Sequence, residues 1–269
     1  MSSRIAPAAL PFLLALALAP RPALGQDSDW ERRCQRWNHD SDREVVCEER
    51  ETRIGARGEL KVDGRANGGV SVRSWEGSDI LVRAQIQASA PDRDDAREIV
   101  ESIRVHTSGS TIYAEGPDMG RNRSWSVSYE IFVPRRTDLE VETNNGPIAV
   151  NGVSGEMDLR AVNGPMSLRS VGGNVHARTT NGPLHVQLEG SRWSGEQLDA
   201  ETTNGPVTLT IPSGYSAELE TGTVHGPMSI DFPITIQGRW PRRINTTLGR
   251  GGPSIRAVTT NGPVTVRRS

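Results

Sequence analysis

The sequence predicts an all-β protein, a parallel β-helix or β-solenoid made of coils of about 18 residues with two strands each. Three observations carry this. The step Asn-Gly-Pro recurs along the second half of the chain. Apolar residues keep the same offsets from each step. Composition suits short strands and tight turns: 28 glycines among 269 residues, with 35% hydrophobic and 4% aromatic.

The N-terminus reads as a signal peptide over residues 1–25. Arg4 gives a positive start, residues 6–19 an apolar run, and Ala23-Leu24-Gly25 the small residues a signal peptidase needs, so cleavage is expected before Gln26. The apolar run is too short to cross a bilayer comfortably. No Cys stands at the cleavage site, so no lipid anchor is expected, and no later stretch resembles a membrane span. Residues 26–53 are highly charged and hold both cysteines, Cys34 and Cys47. In an oxidising compartment such a pair forms a disulfide, and a loop this short contributes about 3 kcal/mol. A metal site from Cys34, Cys47 and His39 would lack a fourth ligand for structural zinc. This segment is therefore expected to be a disulfide-stapled extension that caps the end of a solenoid spanning residues 54–269.

One helix is expected between Pro91 and Ile103. Asp92, Asp94 and Asp95 crowd its start, and Ala96, Ile99, Val100 and Ile103 recur at helical spacing. A strand follows, in which Val127, Tyr129, Ile131 and Val133 alternate before Pro134.

The coils come next. Asn-Gly-Pro begins at Asn145, Asn163, Asn181, Asn204 and Asn261, with His225-Gly226-Pro227 as a variant and Asn67-Gly68-Gly69 as a diverged copy. Three residues after each corner stand Ile148, Met166, Leu184, Val207, Met228 and Val264. Five after stand Val150, Leu168, Val186, Leu209, Ile230 and Val266. Six before stand Leu139, Met157, Val175, Leu198, Leu219 and Ile255. Four before stand Val141, Leu159, Ala177, Ala200, Thr221 and Ala257. That is period-two alternation on both sides of every corner, hence two strands per coil. Asn and Gly tolerate left-handed backbone, and Pro suits a strand start. One coil cannot bury its apolar side alone and must stack on others.

The run Val133-Pro134, Leu139-Glu140-Val141-Glu142-Thr143 and Asn145-Gly146, followed by repeated Gly-x-apolar-x-apolar strands, resembles the bacterial putative-adhesin β-solenoid domains. The resemblance covers roughly residues 53–268. It implies fold and an exterior location, and it carries no catalytic residue across. The prolines after most Asn-Gly pairs and the cysteine-bearing extension depart from that family's pattern.

Candidate sites lie outside the buried columns. Between the inward residues stand Glu140, Asp158, His176, Asp199, Glu220 and Arg256, expected near one another on adjacent coils about 4.8 Å apart. Stacked acids could hold an ion or act on a polysaccharide, which takes two carboxylates at defined separation. The mixed signs of Glu142, Arg160, Arg178 and Glu201 beside them favour a solvated, self-neutralising face. Trp193 and Trp240 sit in loops that could touch a ligand. The ligand-binding candidates are thus Asp158, His176, Asp199, Glu220, Trp193 and Trp240. The five histidines occupy different repeat positions and form no single ladder. No nucleophile elbow, phosphate loop or zinc-protease motif occurs, so no catalytic residue, metal or cofactor is expected. A net charge of -2 argues against a nucleic-acid partner.

The reading is an exported, non-enzymatic solenoid offering a rigid surface for adhesion or envelope assembly. Its partner is a protein or glycan at the cell envelope. Periplasm, outer surface and medium all fit. The alternatives are a carbohydrate-active β-helix using the acid column and a periplasmic sensor or accessory module.

Overall fold

The computed structural model describes residues 30–32, 34, 43–65, 67–109, 111–118, 120–232 and 242–269. The expected signal peptide lies outside them. The described chain forms two ten-stranded sheets with one short helix near the N-terminal end. Each coil gives one strand to each sheet. For the Asn163 coil these are Ser154–Asn163 before the corner and Met166–Arg169 after it. Adjacent coils pair in parallel and in register, with Met157 between Leu139 and Val175, and Met166 between Ile148 and Leu184.

The apolar columns all face the space between the sheets. Leu139, Val141, Leu159, Val175, Leu184 and Leu209 are buried, as are their equivalents in the other coils. Met228 and Ile230 are only half-buried, because Met228–Ile230 is the outermost strand of its sheet. Thr221, the one polar member of its column, is fully buried, and its hydroxyl donates to the Ala257 carbonyl at 2.8 Å. The β-solenoid read from the repeat is therefore the observed fold.

The coils do not stack in chain order. Strand Ser254–Asn261 pairs with Gln197–Asn204 on one side and with Ala217–His225 on the other. Strand Val264–Arg268 likewise lies between Val207–Ile211 and Met228–Ile230. The order along the axis is thus Asn145, Asn163, Asn181, Asn204, Asn261, His225. The chain passes over one rung after the Asn204 coil, and its final coil fills the gap. Strand Arg243–Leu248 then pairs antiparallel with Ala217–His225 and ends that sheet.

The corners are held by three kinds of contact. The Asn amides bond along the axis: Asn163 Nδ2 donates to Asn145 Oδ1 at 2.9 Å, Asn181 to Asn163 at 2.8 Å, Asn204 to Asn181 at 2.9 Å and Asn261 to Asn204 at 2.8 Å. Asn145 extends the row to Asn67 at 3.3 Å. The first Thr of each Thr-Thr-Asn-Gly-Pro string is buried, and its hydroxyl reaches a Gly carbonyl one coil away: Thr179 to Gly164, Thr202 to Gly182, Thr259 to Gly205. The glycines themselves are required by close approach. A Cβ on Gly164, Gly182 or Gly205 would run into the carbonyl of the glycine on the neighbouring coil. The left-handed backbone expected at these turns occurs only at Gly262, and no corner Asn adopts it among the described residues.

At the N-terminal end the sheet changes character. Strand Glu44–Gly55 pairs antiparallel with Asp79–Ala90, which pairs antiparallel with Ser124–Pro134, and that strand pairs parallel with Val70–Trp75. The boundary expected near residue 53 thus falls inside a strand that is hydrogen-bonded into the sheet. Cys34 and Cys47 are joined in a disulfide with Cα atoms 6.3 Å apart, and they form a small apolar cluster with Val45 and Trp30.

The helix Arg93–Ser102 begins at Asp92, whose side chain accepts from the Asp95 N–H at 2.8 Å. Ala96, Ile99 and Val100 face the core. Its last turn contains no basic residue. Arg50, from the edge strand, supplies the missing cation by donating to the Ile103 carbonyl at 2.6 Å and the Val100 carbonyl at 2.9 Å. Arg50→Ala is expected to cost about 2 kcal/mol, because two charge-assisted bonds go and two carbonyls lose a partner. Chemical denaturation would show it as a lower midpoint with an unchanged slope.

Candidate functional site

The outward column forms one continuous row across the sheet. Backbone pairing places Lys61 beside Glu140, then Asp158, His176, Asp199, Arg256 and Glu220. Four of the six ligand candidates, Asp158, His176, Asp199 and Glu220, therefore share a face. Their order corrects the chain-order expectation: Arg256 stands between Asp199 and Glu220.

That position makes Arg256 the hub of the row. It meets Asp199 at 2.6 Å, Glu201 at 3.1 Å and Glu220 at 3.5 Å. Burial alone would lower its pKa. The hydrogen bonds it donates to Asp199 and Glu201 outweigh that, and the guanidinium is held above its ordinary value. Asp199 also lies 3.6 Å from Arg178 and 3.9 Å from His176. Asp158 and Glu142 both bind Arg160, the latter at 2.9 Å. Lys61 meets Glu140 at 2.7 Å, and Arg243 meets Glu220 at 3.3 Å. Every acid of the row is thus matched by a cation on its own or a neighbouring rung. Among the described residues, no group of three or more His, Cys, Asp or Glu side chains is placed to hold a metal ion.

Trp193 is not on this face or any other. It is 3% exposed, and its indole N–H donates to the Gly173 carbonyl at 2.9 Å. In the longer coil between Asn181 and Asn204 the flanking Ser191, Arg192 and Ser194 stay exposed while the Trp193 ring alone turns inward and fills core volume. A loop was expected to present this ring, but an indole gains more by burial with its N–H satisfied. Trp240 and His39 lie outside the described residues.

A concave feature lies at the opposite end of the stack from the His225 coil. A groove of about 740 Å³ opens beside the Asn67 corner, its walls combining Trp125, Val127 and Tyr129 with the charged Arg65, Asp118 and Arg123. Sequence reading placed Val127 and Tyr129 in a core-facing alternation and gave no sign of a groove. The signal was the length of strand Ser124–Pro134, whose eleven residues face the shorter Thr111–Glu115 across the core.

A disulfide-bonded, two-sheeted β-solenoid with an ion-paired outer face defines the class of protein. The family model described as Toastrack DUF4097 matches residues 60–267, and the chain belongs to that family. Among solved structures it is similar to a putative cell adhesion protein from Clostridium sporogenes ATCC 15579, with 11% identity, 83% of this chain and 100% of that chain covered, and a TM-score of 0.46. It is also similar to a putative adhesin from Bacteroides fragilis NCTC 9343, with 13% identity, 82% and 97% covered, and a TM-score of 0.29. A putative adhesin from Parabacteroides merdae ATCC 43184 is similar at 11% identity, 83% and 96% covered, and a TM-score of 0.32. No curated protein matches the chain.

Proposed function

We propose that this is an exported, non-enzymatic protein that offers its solenoid surface for adhesion or envelope assembly. The observation that supports it is the outer row from Lys61 to Glu220, whose charges are tied to one another on a backbone fixed rung by rung. A carboxylate held by a guanidinium is a poor general acid, and glycoside hydrolysis needs one acid that keeps its proton. The same pairing gives a flat face of defined charge pattern, which suits recognition of a partner surface. The Cys34–Cys47 disulfide supports an oxidising compartment. No helix among the described residues is long and apolar enough to cross a membrane.

The test is a glycan and protein array probed with the chain from Gln26 onward. Saturable binding to an arrayed partner is expected, and the Asp158→Asn, Asp199→Asn double variant should weaken it, because it alters the charge pattern of that face. Cleavage of an arrayed polysaccharide that the double variant abolishes would sink the proposal in favour of a carbohydrate-active enzyme.

A further inference from the structure

The sheet opposite the ion-paired row has a different outer face. In spatial order from Val70–Trp75 to Met228–Ile230, no strand of that sheet contains an Asp or Glu. Backbone pairing sets Asn151, Arg169, Gln187, Thr210 and Arg267 in one column across it. The residues just before them, Val150, Leu168, Val186, Leu209 and Val266, are buried, so the column faces outward. The Arg169 side chain makes no ion pair or hydrogen bond among the described residues. The Arg267 guanidinium donates to Thr210 Oγ1 at 3.0 Å and meets no carboxylate among them. Both arginines line a hollow of about 90 Å³, together with Gln187, His185, Ser167 and Thr208. The acids that border this face do not line the hollow: Glu189 lies two residues beyond Gln187, and Asp231 follows the outermost strand. At the far end Arg73 has Glu130 at 4.0 Å.

These properties define what fits. A guanidinium offers a planar fork that matches a carboxylate side-on. The Gln187 amide and the Ser167 and Thr208 hydroxyls add neutral donors and acceptors of the kind that sugar hydroxyls need. The strands from Ile148–Asn151 to Val264–Arg268 contain no Phe, Tyr or Trp. Such side chains anchor protein interfaces and stack nucleic-acid bases. Two arginines are also few for a lipid surface, where each cation adds about 1 kcal/mol. Their backbones stand three rungs apart, about 14 Å, so successive acid groups along one chain can meet both. We infer that this face binds a linear acidic polysaccharide, whose carboxylates engage Arg169 and Arg267 and whose hydroxyls engage Gln187 and its neighbours. This goes beyond the adhesion reading in naming a ligand class and a different face, so either can fail without the other.

The probe is a short oligogalacturonate, a linear sugar chain with a carboxylate on every residue, titrated calorimetrically into the chain from Gln26 onward. Its methyl ester keeps the backbone and lacks the charge. Saturable binding of the acid is expected, weakening as salt is raised, with much weaker binding of the ester. Arg169→Gln and Arg267→Gln should each weaken the acid about 5- to 10-fold, the loss of one partly exposed charge-assisted contact. Both arginines are exposed, so the variants should melt with the parent. Arg97→Gln removes the same charge from the exposed side of the helix Arg93–Ser102 and should leave binding unchanged. The Asp158→Asn, Asp199→Asn double variant should still bind oligogalacturonate, whatever it does to the arrayed partner. Equal weakening by Arg97→Gln would reduce the contact to net charge and overturn the inference. So would equal binding of the ester, no saturable binding of the acid, or tighter binding of oligoglutamate, which would make the partner an acidic protein segment.

Discussion

Removal of residues 250–269 is expected to unseat the His225 coil while leaving the coils from Asn145 to Asn204 folded. The last coil carries Ile255, Ala257, Val264 and Val266 into the core, all essentially fully buried. Burying each large aliphatic side chain is worth roughly 1.5–3 kcal/mol. Their joint loss is comparable to the whole stability of a domain, about 5–15 kcal/mol. The damage falls on one side because strand Ala217–His225 has its parallel partner only in Ser254–Asn261. Limited proteolysis followed by mass spectrometry is the measurement. Cleavage should concentrate between residues 212 and 248, with the earlier coils protected. If the coils stacked in chain order, the His225 coil would rest on the Asn204 coil and stay protected. Protection there would refute the intercalated arrangement.

Gly182→Ala is expected to be among the most damaging single methyl additions. The new Cβ would collide with the Gly164 carbonyl and the start of Pro165, which are backbone atoms and cannot swing away. Nor can the Gly182 segment retreat freely, because its N–H is tied to the Asn204 carbonyl on the other side at 3.0 Å. Overpacking of this kind costs about 3 kcal/mol, near the top of its usual range. For a chain of this size that lowers the melting temperature by about 6–12 °C. Gly58→Ala is the control. Nothing lies near the Cβ it would add, its backbone is not left-handed, and its effect should stay within about 0.5 kcal/mol. A similar melting temperature for the two variants would show that the corners are looser than the packing implies.

The columns of apolar residues made the two-strand coil legible, because period-two burial leaves the same trace at every rung. The coil order was not legible for the same reason. Ile255 and Leu219 belong to one column, so either could stand next to Leu198 without disturbing a single offset. Only backbone pairing separates the two arrangements. The edge strand Glu44–Gly55 was read as a charged extension because its partly exposed middle is Glu48, Glu49, Arg50 and Glu51. Such charges are how edge strands avoid pairing with foreign chains, and they mask the alternation of Val45 and Cys47. The corner glycines were recognised as turn formers for a partly mistaken reason. Their sequence neighbours suggest left-handed backbone, while the constraint comes from a carbonyl one coil away. Of the candidate site, the acid column was visible and its partners only partly so. Trp193 carried no mark in its loop to show that it turns inward.

The asparagine row has a direction. At every step the Nδ2 of the coil nearer the His225 end donates to the Oδ1 of the coil nearer the Asn67 end. Six side-chain amides therefore point the same way, and each bond polarises the next. The outer corner of the solenoid is a line of aligned dipoles, with its hydrogen-rich pole at Asn67 and its oxygen pole at Asn261. Replacing an amide in the middle, such as Asn181, would take away more than two local bonds: it would divide one long dipole into two short ones.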